Sequence, residues 1–165
     1  MGVDVVFKVT IPGEPHGKGR PRFSRATGRA FTPKGTAEWE RGAAYVIRSE
    51  WSGRFPPIDV PATVHVRAVF SRPGRLLRKK DPEGRMPCTK KPDVDNVVKC
   101  VLDALTMGGA LRDDKVVWKV CAEKLYASKD ESGCVEVELY WRDENEKDRD
   151  DGHDILEHGA AASCS

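Results

Sequence analysis

Asp93 and Asp95 stand two residues apart at the head of an apolar-periodic run, and Asp113 and Asp114 stand side by side just behind it. Carboxylates drawn into one place repel one another unless a cation lies between them. Oxygen donors suit a hard divalent ion, and Mg²⁺, which keeps several of its waters, is the expected one, with Mn²⁺ as a substitute. Residues 91–117, KPDVDNVVKCVLDALTMGGALRDDKVV, therefore read as a loop bearing two acids, a buried helix, and a turn bearing a third. Lys99 follows Asp95 by four residues, one helical turn on along the same face. An ammonium there could hold a phosphate or stabilise a pentavalent transition state. The plainer alternative is an i,i+4 ion pair with Asp95 or Asp103, worth about 0.2–0.5 kcal/mol. Asp103 reads as a structural partner for Lys99 or Arg112 rather than a ligand.

The helix between the acids follows from spacing. Val97, Val98, Val101, Leu102 and Leu105 form one stripe at helical period. Asp95 or Asn96 is the expected N-cap, and Gly108 and Gly109 the expected stop. From Val97 to Met107 such a helix is about 16 Å long at ~1.5 Å per residue. The two groups of acids thus begin at opposite ends of a short rod. They can meet only if the chain after Gly109 folds back along it.

The rest of the chain must supply the platform. Residues 3–11 alternate, with Val3, Val5, Phe7, Val9 and Ile11 on one face, and predict a half-buried strand. A helix is expected over 37–50, its buried stripe made by Trp39, Ala43, Val46 and Ile47. A second strand is expected at 62–70, with His65 on its outer surface. Two more are expected at 116–126, carrying Val116, Trp118, Val120 and Ala122, and at 134–141, joined by a hairpin loop over 128–133. The order β α β α β β implies an α+β domain: a mixed sheet of about four strands with two main helices packed on it.

Two segments break this regularity. Residues 12–34 carry six bases against Glu14, with Phe23 and Phe31 interleaved. Residues 71–92 carry eight bases against two acids and lead directly into Asp93. Both read as loops rich in Gly and Pro. Basic residues among aromatics suit a polyanion backbone, and Lys18, Arg20, Arg22, Arg29, Lys34, Arg78, Lys79, Lys80, Lys90 and Lys91 are the expected DNA contacts. The bland alternative for residues 12–34 is a solvated loop with two anchoring Phe residues.

The net charge of +2 hides an asymmetry. Residues 142–165 hold eight acids against three bases, a charge of −5, which leaves +7 on residues 1–141. The expected organisation is a domain over 1–141 and an acidic, disordered, solubilising tail over 142–165. A hydrophobic content of 39% supports one core, and no apolar run approaches the ~18 residues of a membrane span. The start MGVDVVFKVT does not read as a signal peptide. The five cysteines form no CxxC pair. Cys100, Cys121 and Cys134 read as small core residues, and a cytoplasmic protein is expected.

The stretch DVDNVVKCVLDAL followed by RDDKVV resembles the Asp-x-Asp-Asn-x-x-Lys…Asp-Ala-Leu…Asp-Asp pattern of the RusA family of Holliday junction resolvases. IPGEPHGKGRPRF and GRAFTPKGTAEWE resemble the opening of its phage and prophage members, so the likeness covers most of residues 5–141. The resemblance implies a bacterial or phage-encoded homodimeric, Mg²⁺-dependent endonuclease of recombination and repair, cutting four-way DNA by paired symmetric nicks. On it, Asp93, Asp95 and Asp114 match the essential carboxylates that bind metal, Lys99 matches the active-site lysine, and Asp113 is an adjacent, accessory acid. Arg112 departs from the family, which often has an acidic or apolar residue there.

Competing classes are separable. A calcium loop is disfavoured because Val97 and Val98 stand where an oxygen donor and a glycine belong. A nucleotide-sugar transferase needs a longer nucleotide-binding domain, and the basic loops suit DNA better. A nucleic-acid-binding protein that does not cut, or a nuclease for other branched DNA, remains as the alternative.

Overall fold

A computed structural model describes residues 3–143. Of the tail expected over 142–165, Arg142 and Asp143 belong to the last strand of the sheet, and residues 144–165 lie outside the described residues. Two helices cover one face of a five-stranded sheet, and a small hairpin stands apart from it. In chain order the elements are β1 (Val3–Pro12), β2 (Arg22–Ser24), β3 (Arg29–Phe31), α1 (Lys34–Trp51), β4 (Ala62–Phe70), β5 (Met86–Pro87), α2 (Val94–Gly108), β6 (Val117–Tyr126) and β7 (Cys134–Asp143). The sheet order is β1-β7-β4-β6-β5, with β4 and β6 parallel and the other pairs antiparallel. The expected α+β class with four main strands and two helices is the class observed.

One connection differs from expectation. β6 and β7 are not a hairpin, because β4 lies between them. The crossover through α2 brings β6 back parallel to β4, as a βαβ unit does. The chain then passes the end of β4 and pairs β7 along its other side. β4 gains partners on both edges, which suits its pattern: Val64, Val66, Ala68, Val69 and Phe70 are all buried.

Phe7, Val9 and Ile11 of β1 point into the core with Val135, Val137 and Leu139 of β7. Against them α1 lays Ala43, Ile47 and Trp51, and α2 lays Val97, Val101, Ala104 and Leu105. The helices approach closely at Gly108, where a Cβ would stand 2.8 Å from Ile47 Cγ2 and 3.1 Å from the Ala44 carbonyl. Phe7, Trp51, Phe55 and Trp141 cluster at one end with ring centroids 4.8–6.5 Å apart. The apolar residues of β6 are less covered than those of its neighbours: Trp118 is 71% exposed and Val120 39%. Cys88 and Cys100 are buried free thiols, whereas Cys121 is disulfide-bonded rather than a simple core residue.

The two loops contain more structure than their composition suggests. Within 12–34, β2 and β3 form a hairpin that turns at Gly28, whose φ of 65° favours glycine. Phe23 and Phe31 are 68% and 48% exposed on this hairpin, so they do not anchor it. Within 71–92, a 3-10 turn over Gly74–Leu76 and β5 are gathered around buried Arg72. Among the described residues no helix is long and apolar enough to cross a membrane.

Candidate active site

The helix that carries the first acids begins two or three residues earlier than its stripe implied. Asp93, not Asp95 or Asn96, is the N-cap of α2, with φ −69° and ψ 153°. Its carboxylate makes no capping hydrogen bond. Asp95 lies in the first turn, where the helix dipole favours an anion. Both acids are exposed, and among the described residues neither side chain has a hydrogen bond or ion pair.

The chain after the helix does fold back. Gly109 takes the left-handed conformation at φ 85° and closes α2. Residues 110–112 then run beside Ile58: Ile58 N donates to the Ala110 carbonyl at 2.9 Å, and Arg112 N donates to the Ile58 carbonyl at 2.9 Å. Five extended residues from Gly109 cover about 16 Å, which matches the ~15 Å of helix between Lys99 and Gly109. Asp114 therefore reaches Lys99, with Nζ to Oδ2 at 2.9 Å. Asp113 caps the 3-10 turn Asp114–Val116, accepting from Lys115 N at 3.0 Å.

Lys99 also lies 3.5 Å from Asp103, one turn further along α2. The hydrogen bond that Lys99 donates to Asp114, joined by the charge of Asp103, raises the Lys99 pKa above the ordinary lysine value and keeps the ammonium charged. The same bond lowers the pKa of Asp114. Asp103 is thus a partner of Lys99, as its position on the helix suggested. Arg112 instead lies 4.0 Å from Asp59.

Behind Lys99 is a group the motif did not reveal. Lys18 Nζ is 2.6 Å from Asp103 and 2.6 Å from Glu40. Glu40 is only 5% exposed, and the Cys100 thiol donates to it at 3.7 Å. Burial pushes that thiol up to about 12, with Glu40 adding to the effect. Burial pulls Lys18 down, but its hydrogen bonds to Asp103 and Glu40 outweigh this and leave its pKa raised. Lys18 was expected among the DNA contacts, and the structure assigns its ammonium to two carboxylates instead. The signal for Glu40 was present: it falls on the α1 stripe with Thr36, Ala43, Ala44 and Ile47. An acid on a buried stripe requires a basic partner.

The remaining basic residues divide. Arg20, Arg22, Arg29 and Lys34 are exposed on and around the β2–β3 hairpin. Arg78, Lys79, Lys80, Lys90 and Lys91 are exposed on the loop ahead of Asp93. Lys124 ties the end of that loop to β6 by donating to the Lys90 and Pro92 carbonyls.

A divalent ion can be tested against these donors. Asp93, Asp95 and Asp114 offer only oxygen, the first two are uncommitted, and the third is shared with Lys99. That donor chemistry fits Mg²⁺, which binds through one or two carboxylates and retains waters. Their oxygens are not drawn into one tight group: among the described residues, only Glu131, Cys134 and Glu136 place three ligand atoms within 4.8 Å of one another. Those two glutamates are already paired by Arg85, whose guanidinium bridges both, so their charge needs no ion.

A search of curated proteins finds no match to this chain. A scan against protein-family models matches Endodeoxyribonuclease RusA over residues 12–140, a span that contains α1, α2, the acids at both ends of α2 and both basic segments. The chain belongs to the RusA family of endodeoxyribonucleases.

Proposed function

We propose that this nuclease is a divalent-metal-dependent, structure-specific endonuclease that resolves four-way DNA junctions by paired symmetric nicks, in recombination and repair. Its support is one juxtaposition: Asp114 returns along α2 to bond Lys99 while Asp93 and Asp95 stand uncommitted at the head of the same helix. Asp93, Asp95 and Asp114 are the residues that would hold Mg²⁺ or Mn²⁺, with Asp113 adjacent. The ion, when bound, would activate water and relieve charge at the phosphate.

The chain's own residues do the rest. Lys99, charged and more than half exposed, can bond a non-bridging oxygen of the scissile phosphate once Asp114 turns away from it. The exposed bases at Arg20, Arg22, Arg29 and Lys34, and at Arg78, Lys79, Lys80, Lys90 and Lys91, are suited to the backbone on either side. A four-way junction has two-fold symmetry, so two nicks need two sites related by a matching axis. A closed homodimer supplies that axis.

The test is Asp95→Asn, assayed with Mg²⁺ on labelled four-way, flap and linear duplex DNA. We expect cleavage of the four-way junction to be abolished while binding is kept or tightened. If variant and wild type behave alike on the junction, the site does not cut, and the protein binds DNA through its basic loops alone.

A further inference from the structure

Five charged side chains of alternating sign run from the core to the surface: Glu40, Lys18, Asp103, Lys99 and Asp114. The contacts along the line are 2.6, 2.6, 3.5 and 2.9 Å. Three elements meet here, since Glu40 is on α1, Asp103 and Lys99 are on α2, and Lys18 is on the segment after β1.

Lys18 is held in place by its backbone. Its N–H donates to the Asn96 carbonyl at 2.8 Å, against the first turn of α2. On one side, a Cβ at Gly17 would lie 2.4 Å from Pro92 Cβ. On the other, a Cβ at Gly19 would lie 2.9 Å from Pro33 Cγ. Both glycines let the chain pass where no larger residue could, and that passage sets the Lys18 stem between α1 and α2. Glu40 then anchors the ammonium from within the core.

Asp103 is the joint of the line. One of its oxygens is 2.6 Å from Lys18 and the other 3.5 Å from Lys99. Its pairing with Lys18 fixes a carboxylate that would otherwise swing with solvent. Asp114 has two calls upon it, the Lys99 ammonium and the ion. When it serves the ion, Asp103 is the carboxylate left beside Lys99.

We propose that Lys18 and Asp103 are positioning residues of this nuclease: Asp103, pinned by Lys18 on buried Glu40, keeps the Lys99 ammonium at the scissile phosphate while Asp114 is engaged with metal. This rests on the nuclease reading given above. It also explains why the first lysine of a basic loop is withdrawn from the DNA surface.

The experiment compares Asp103→Asn, Lys18→Met and Lys18→Arg with wild type. Single-turnover cleavage of a four-way junction is measured at saturating protein, and junction affinity is measured without cutting in Ca²⁺. Small misplacements of a reacting group can cost about 10²-fold. We expect Asp103→Asn and Lys18→Met to slow cleavage by about 10- to 100-fold with affinity nearly unchanged, and Lys18→Arg to recover most of the rate. In a Lys99→Met background, Asp103→Asn should add no further loss, because residues acting through one group are not additive. A second readout needs no activity. In metal-free protein carrying Asp114→Asn, which takes away the 2.9 Å partner, and labelled with ¹⁵N-lysine, the Lys99 ammonium should give a slowly exchanging signal that adding Asp103→Asn removes.

Wild-type cleavage by Asp103→Asn would overturn the proposal, as would an undiminished effect of Asp103→Asn when Lys99 is already gone. Should Lys18→Met fail to fold, Asp103→Asn still decides, since it keeps the side-chain volume at a partly exposed position. Should wild type cut no DNA, the nuclease reading fails on its own, and the ¹⁵N signal still shows whether Asp103 holds Lys99.

Discussion

Arg72→Met should unfold the loop that delivers Asp93 and most of the basic surface. Arg72 is 7% exposed. Its guanidinium donates to the Ala127 carbonyl at 2.9 Å, to the Leu76 carbonyl at 3.4 Å, and to the carbonyls of Pro82 and Gly84. One side chain thus ties the end of β6 to three points on a loop with little regular structure. Methionine keeps a long apolar stem but removes every donor. Hydrogen bonds to a charged group contribute about 1.5–3 kcal/mol each. Some freed carbonyls will find water as the loop opens, so two bonds' worth, about 3–6 kcal/mol, is the expected loss. That is a large part of the ~5–15 kcal/mol that holds a domain together. Equilibrium urea unfolding measures it. Amide exchange locates it, because Lys129 N donates to the Glu83 carbonyl at 3.1 Å and should lose protection with the loop. A loss below about 1 kcal/mol, with Lys129 still protected, would refute the reasoning and make Arg72 a passenger.

Other outcomes follow from the same contacts. The hydrogen bond from Arg85, with that from the Ser128 backbone, lowers the Glu131 pKa from 4.5 to about 2. A carboxyl depressed by folding contributes stability that is fully present above its unfolded pKa and is lost as pH falls through the folded one. Urea midpoints should therefore drop between about pH 4.5 and 2, and Glu131→Gln should flatten that part of the curve; an unchanged profile in the variant would remove the pair from acid stability. Gly108→Ala should cost about 1–3 kcal/mol, because its Cβ would meet Ile47 and the Ala44 carbonyl where the helices touch; a melting temperature equal to wild type would contradict that packing. Junction affinity should fall about 10³–10⁵-fold between 50 and 200 mM salt if six to ten of the exposed bases meet phosphates, and a flat titration would take the two loops off the binding surface.

Short-range pattern determined a good deal of this protein from the sequence. The α2 stripe, the alternation of β1 and the run of β4 each rest on contacts of one face with one core, and period alone reveals them. Val97, Val101 and Leu105, and Phe7, Val9 and Ile11, are buried as their spacing requires. The acids around α2 were legible too, because the family motif is a local string.

Only the tertiary structure decided what each charge faces. Lys18, Arg72 and Arg85 look in sequence like any other base of a phosphate-binding loop. One is bound by Glu40 and Asp103, one by four carbonyls that include distant Ala127, and one by Glu131 and Glu136. Strand order was likewise out of reach of periodicity: β6 and β7 are neighbours in the chain, yet β4 separates them in the sheet. Period reports which side of an element is dry. It carries no information about which distant carboxylate, carbonyl or strand edge will arrive there, because that is settled by how the whole chain packs.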